Sequence, residues 1–150
     1  MKDNLPVRKR LRLKEFDYSK EEMYFITICI KNRIELLGKI IETSHIELTK
    51  IGEISEQYIK KIEIKYKNVK IDEYIIMPNH IHLLLIVNKQ NDISISRIIK
   101  QYKMCVSKII GYSIWQKSFY EHIIRNEKEY WKIKEYIKDN IINWKKDKYF

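Results

Sequence analysis

The chain has 150 residues, 45% hydrophobic and 33% charged, with 30 basic against 20 acidic side chains and a net charge of +10. That length suits one domain burying roughly 70% of its unfolded surface, and the composition excludes disordered, collagen-like and low-complexity classes. Only 3 Gly and 2 Pro argue against a turn-rich all-β domain, and no apolar run approaches the ~20 residues of a membrane helix. A start charged throughout has no signal-peptide pattern, so one domain over residues 1–150, cytoplasmic and without a membrane, is expected. The positive balance points to a polyanion, nucleic acid before an anionic membrane surface. Cys29 and Cys105 lack CxxC spacing and read as buried free thiols.

Residues 1–20 open as a basic arm whose cations include Arg8, Arg10, Arg12 and Lys14. From Met23 to Lys31, Tyr24, Ile26, Ile28 and Ile30 alternate with Phe25, Thr27 and Cys29, the period of a strand. Leu37 and Gly38 turn the chain into a short ribbon over Lys39 to Glu47, where His45 reads as a surface residue. Thr49 is placed to cap a helix running to about Lys65, with Ile51, Ile54, Tyr58 and Ile62 on one face. Strands are predicted over Val69–Met77 and His80–Val87, punctuated by Pro78 and Asn79. Ser94 starts a second helix with Ile95, Ile98, Ile99, Tyr102, Val106 and Ile109 as its buried stripe, and Gly111 ends it. Arg97, Lys100, Lys103 and Lys108 lie off that stripe. A short strand at about Phe119 to Ile124 precedes Asn126, which with Glu129 makes a capping pair for a last helix from Glu127 to about Trp144. This order predicts an α+β, ferredoxin-like (split βαβ) fold: an antiparallel-rich sheet with helices on one face, plus a C-terminal helix.

The sharpest chemical feature is His80-Ile81-His82 inside a predicted strand. Alternation puts both imidazoles on one face, about 7 Å apart along the backbone, so that they can share one divalent ion. A hydrogen-bonded, half-buried pair is the plain alternative. On the last helix, Tyr130, Ile133, Ile137, Ile141 and Trp144 form the apolar stripe. Positions 136 and 140 project about 40° apart from one border of it. Tyr136 is then either a boundary tyrosine with a wet hydroxyl or a nucleophile. A phenol with a pKa of ~10 attacks only an activated centre. A divalent ion on His80 and His82 would activate a scissile phosphate in that way. Two imidazoles are too few for a tight site, and the amide oxygen of Asn140, one turn after Tyr136, is the candidate third ligand.

Taken together, these stretches resemble a known family. They run from Arg12 to Ser19, Tyr24 to Cys29 with Lys31 to Arg33, and Tyr74 through Pro78-Asn79-His80-Ile81-His82. Trp115 to His122 with Ile124 to Asn126 follows, then Tyr136 to Asn140 and Trp144 to Tyr149. The chain is similar along nearly its whole length to the REP-associated tyrosine transposases, IS200-like enzymes of the HUH endonuclease superfamily. The resemblance implies a single-stranded DNA endonuclease and strand transferase acting beside hairpin-forming repeats. It implies that His80, His82 and Asn140 hold Mg²⁺ or Mn²⁺ and that Tyr136 attacks to leave a 5′-phosphotyrosine and a free 3′-OH. Histidine ligation alone would also suit Zn²⁺. Relatives include monomers and homodimers that exchange the tyrosine helix, and both states stay open. The family often has Pro after the asparagine where this chain has Ile141, so the last helix is expected to continue where relatives bend.

His122 reads as either an outer support of the ion site or a structural hydrogen bond, and Glu121 as a weaker candidate ligand. DNA contacts are expected from Arg8, Arg10, Arg12, Lys14, Arg97, Lys100, Lys103, Lys117, Arg125 and the pair Lys145-Lys146. Tyr18, Trp115 and Tyr120 are candidates for stacking on unpaired bases. The rival readings are a non-catalytic basic nucleic-acid-binding module of the same fold and an interaction-only protein. A two-histidine phosphoesterase would need two separated His-x-Ser/Thr motifs, and none occurs.

Overall fold

The computed structural model describes residues 16, 20–42, 45–90 and 93–144. Strand β1 (Glu21–Cys29) leads through a short 3₁₀ turn to the ribbon β2 (Gly38–Ile41) and β3 (His45–Leu48). Helix α1 (Lys50–Lys65), strands β4 (Val69–Met77) and β5 (His80–Asn88) and helix α2 (Ile95–Ile110) follow. Strand β6 (Tyr120–Ile124) and helix α3 (Glu127–Lys138) complete the order. Four strands form one sheet in the order β4-β5-β1-β6, every neighbouring pair antiparallel, while β2 and β3 pair separately. This is the expected ferredoxin-like arrangement.

The helix starts are set by side-chain caps that satisfy orphan backbone donors. Thr49 Oγ1 accepts from the Gly52 amide at 3.1 Å and Ser94 Oγ from the Arg97 amide at 3.2 Å. Asn126 Oδ1 accepts from the Glu129 amide at 2.8 Å, and Glu129 Oε1 reaches back to the Arg125 amide at 2.9 Å. Gly111 closes α2 at φ 102°, a left-handed position that glycine takes without steric cost. Gly52 is required for another reason. A Cβ there would lie 2.0 Å from the Leu37 carbonyl oxygen, so only glycine lets α1 start against that loop.

Period-two alternation sends neighbouring residues of β1 and β5 to opposite faces. Ile26, Ile28, Ile81, Leu83 and Leu85 join Ile59 and Ile62 of α1 and Ile98, Ile99 and Val106 of α2 in the larger core. Met23, Leu84 and Ile124 meet Tyr130 and Ile137 of α3 on the other face. So α1 and α2 share one face, and the C-terminal helix covers the other. A β-bulge between Ile71 and Glu73 brings Asp72 under α3. There Tyr130 Oη donates to its carboxylate at 2.7 Å, and Lys134 Nζ lies 3.4 Å from it.

Three expectations change. Cys105, read as a buried thiol, is only partly buried, whereas Cys29 is buried. Ile109, placed in the buried stripe of α2, is 56% exposed. Helix α3 ends at Lys138 rather than near Trp144. The Asn140 amide bonds to the Ile137 carbonyl and the Trp144 amide to the Ile141 carbonyl. These three-residue spacings tighten the chain into turns, so it leaves the helix without a proline.

Candidate functional site

The site is built where the two central strands meet α3. Register places His80 opposite Cys29 and His82 opposite Thr27, so both imidazoles rise from the α3 face of the sheet, fully buried. Their ring centroids are 4.7 Å apart at an interplanar angle of 71°. Each Nδ1 has a fixed neighbour. Thr27 Oγ1 lies 2.9 Å from His82 Nδ1, and Asn79 Oδ1 lies 2.7 Å from His80 Nδ1.

The Asn79 amide is oriented by its own Nδ2, which donates to the Arg33 carbonyl at 3.4 Å. Its oxygen therefore faces the imidazole as an acceptor, so His80 Nδ1 carries the proton. In the neutral ring this leaves the lone pair on Nε2. The Nε2 atoms of both histidines are buried, as is Oδ1 of Asn140.

Aromatic rings bracket the pair. Phe25 stacks on His82 with centroids 5.1 Å apart, and Trp144 lies parallel to His80 at 6.1 Å. Tyr136 meets His82 at 5.2 Å and 64°, and the Phe25 edge at 6.1 Å. Tyr136 is 38% exposed, against 1% for Asn140. Asn140 stands four residues from both Tyr136 and Trp144, which touch the two histidines in turn. The turn after α3 thus buries Asn140 between two residues whose rings meet the imidazoles, while Tyr136 stays partly exposed. Among the described residues no three His, Cys, Asp or Glu side chains converge, so the polar groups around the two imidazoles are the Thr27 hydroxyl, the Asn79 and Asn140 amides and the Tyr136 phenol.

His122 pairs with Phe25 across β1 and β6, on the same face of the sheet. Its Nε2 lies 2.8 Å from Glu129 Oε2, which ties β6 to the first turn of α3. The Arg125 amide first, then the His122 ring, hold the Glu129 carboxyl below the usual carboxylate range. Glu121 pairs with Ile26 and faces the opposite side of the sheet, away from the imidazoles.

The expected DNA contacts divide. Arg97, Lys100, Lys117, Tyr120 and Arg125 are exposed. Lys103 is not a free surface cation: Nζ donates to the Gln116 and Ser118 carbonyls, both at 2.9 Å, and burial lowers its pKa. Trp115 is corrected more sharply. It is 3% exposed and packs on Tyr102 at 5.8 Å, so its ring belongs to the core and offers no stacking surface. Arg8, Arg10, Arg12, Lys14, Tyr18, Lys145 and Lys146 lie outside the described residues.

Thr27, Asn79, Phe25 and Trp144 join the site without being marked for it by sequence pattern. The signal for Asn79 was its place directly before His80. Thr27 and Phe25 needed the β1–β5 register, which spacing within one strand does not encode.

No family model matches the chain. An uncharacterized protein of Haemophilus influenzae is 33% identical, the match covering 95% of this chain and 93% of that one. Among solved structures, a REP-associated tyrosine transposase bound to a REP hairpin superposes with a TM-score of 0.68 at 25% identity, over 87% of this chain and 72% of its own. A candidate transposase from Deinococcus radiodurans gives a TM-score of 0.55 at 16% identity, over 93% and 97%. The chain belongs to the family of the Haemophilus influenzae protein, and its fold is that of the IS200- and REP-associated tyrosine transposases.

Proposed function

We propose that the chain is a metal-dependent, transposase-like DNA strand transferase that cleaves single-stranded DNA beside a hairpin. The observation that carries this reading is the meeting of the Tyr136 ring with His82, next to His80, beside the apolar cluster under α3. The likeness to a tyrosine transposase bound to a hairpin supports the same class of activity and partner.

The donor set fits a divalent cation. His80 Nε2 keeps its lone pair because Asn79 holds the opposite nitrogen as a donor, the outer support that histidine ligands require. His82 Nε2 and the Asn140 carbonyl oxygen are the other two donors in this reading. Mg²⁺ or Mn²⁺ bound there would polarise the scissile phosphate and offset charge in the transition state. Tyr136 Oη attacks the phosphorus, and the bond to the 3′ oxygen breaks. The products are a 5′-phosphotyrosine and a 3′-hydroxyl, on which the phenolic proton ends. One ester replaces another, so the strand can be rejoined without an external energy source. The partial exposure of Tyr136 lets a polymer reach it, while Phe25 packs against the ring and limits its orientations.

A labelled hairpin oligonucleotide with Mn²⁺ tests the reading. A protein–DNA adduct that survives denaturing electrophoresis and disappears in Tyr136→Phe is expected. Reversible binding with no adduct from the unaltered protein would leave only a non-catalytic binding module.

A further inference from the structure

A second surface, outside the imidazole site itself, carries a concentration of cations. Between the C-terminal half of α2 and residues 111–117 lies a cleft of about 910 Å³ whose walls include Lys31, Lys100, Lys108 and Lys117, with no Asp or Glu among the described residues that line it. A smaller notch of about 490 Å³, lined by Lys31, Asn32, Arg33, Gln116 and Lys117, adjoins it. The two share Lys31, Gln116 and Lys117 and so form one trough. Lys103 braces its floor through the Gln116 and Ser118 carbonyls. Tyr112, 56% exposed, stands in the wall beside Met104, 60% exposed.

The trough ends beside the candidate active site. Gln116 donates its amide to the Cys29 carbonyl, Lys31 to that of Ile114, and Cys29 is the cross-strand partner of His80. At the notch, Asn79 links the Arg33 carbonyl to His80 through its two amide atoms. Asn32 and Arg33 take left-handed φ values of 57° and 56°, a region that asparagine tolerates and arginine adopts uncommonly.

We infer that this trough binds single-stranded DNA and leads it round the end of the sheet to Tyr136, an inference that rests on the function proposed above. Cations on both walls suit a phosphate backbone. A recessed cleft with an exposed aromatic ring suits unpaired bases, because stacking on Tyr112 needs a base whose face is uncovered. A duplex offers only its outer phosphates to such a recess.

The test compares one hairpin oligonucleotide with and without a single-stranded thymidine extension, by fluorescence anisotropy over a salt series, in the full chain carrying Tyr136→Phe so that no chemistry intervenes. The extension should raise affinity. Lys108→Gln/Lys117→Gln should remove that gain and lower the slope of log affinity against log salt by about 1.4, at ~0.7 for each single-strand phosphate that is no longer neutralised. Tyr112→Ala should weaken binding of the extended oligonucleotide by roughly five-fold or more, the loss of one stacked base, with the bare hairpin unchanged. An extension that adds no affinity, or variants that weaken both oligonucleotides equally, would overturn the inference. Because these readouts need no covalent step, they fail separately from the adduct assay.

Discussion

The two faces of the sheet solve different problems with the same strands. Under α1 and α2 the packing is almost wholly apolar, a continuous core that includes Ile26, Ile28, Leu83 and Leu85, each fully buried. Under α3 the apolar cluster is smaller, and beside it the buried side chains are Thr27, His80, His82 and Asn140. Burying such polar groups costs free energy unless their hydrogen bonds are kept, so one face supplies the stability that lets the other hold a polar site. Moving one residue along β5 crosses from one regime to the other: Leu83 faces the core between His82 and Leu84 on the site face.

The largest break in that comparison is Leu83→Ala. A cavity in the larger core should cost about 2–5 kcal/mol, or about 4–20 °C in melting temperature by calorimetry. Adduct formation well below the transition should persist.

On the α3 face, Tyr130→Phe removes the hydroxyl that holds the buried carboxylate of Asp72. A loss of about 1.5–3 kcal/mol is expected for a hydrogen bond to a charged group. Because α3 carries Tyr136, adduct yield should fall as well, and chemical denaturation alongside the gel assay reads both.

Thr27→Val keeps the volume of the side chain and deletes its hydrogen bond with His82 Nδ1. The Mn²⁺ concentration needed for half-maximal adduct should rise about 10–100-fold, with a melting shift of only a few degrees. An unchanged metal requirement would separate Thr27 from the site.

The smallest effect concerns alkaline pH. Burial, then the hydrogen bond to Glu56, pushes Tyr74 up to about 12 from its ordinary 10.0, and burial also raises Tyr102. Raised phenols stabilise the fold below the unfolded value, and that stability is lost as pH climbs from about 10 through the folded value. Denaturation midpoints measured between pH 9 and pH 12 should therefore decline more gently in Tyr74→Phe.

Alternation and helical spacing made the elements legible, because burial on one face of a strand or helix is written in the period of apolar residues. The same logic placed His80 and His82 on one face and set Tyr136 near Asn140. Elsewhere the period gave the wrong boundary: Ile141 and Trp144 continue the stripe of α3, yet the chain has already tightened into turns at Asp139 and Asn140. Trp115 was misread because an isolated aromatic beside polar neighbours has no period, and its burial comes from α2 and β1 closing over it. The supports of the imidazoles were missed for a related reason, since Thr27 and His82 are 55 positions apart and meet only through strand pairing.

The order of the chain has a consequence for synthesis. The larger core draws its members from Tyr24 to Phe119, so a chain emerging from the ribosome can complete it before α3 exists. Tyr136, Asn140 and Trp144 arrive afterwards. The larger core can thus be complete before α3 packs on the face that carries His80 and His82, and the phenol proposed as nucleophile meets His82 only on a finished scaffold.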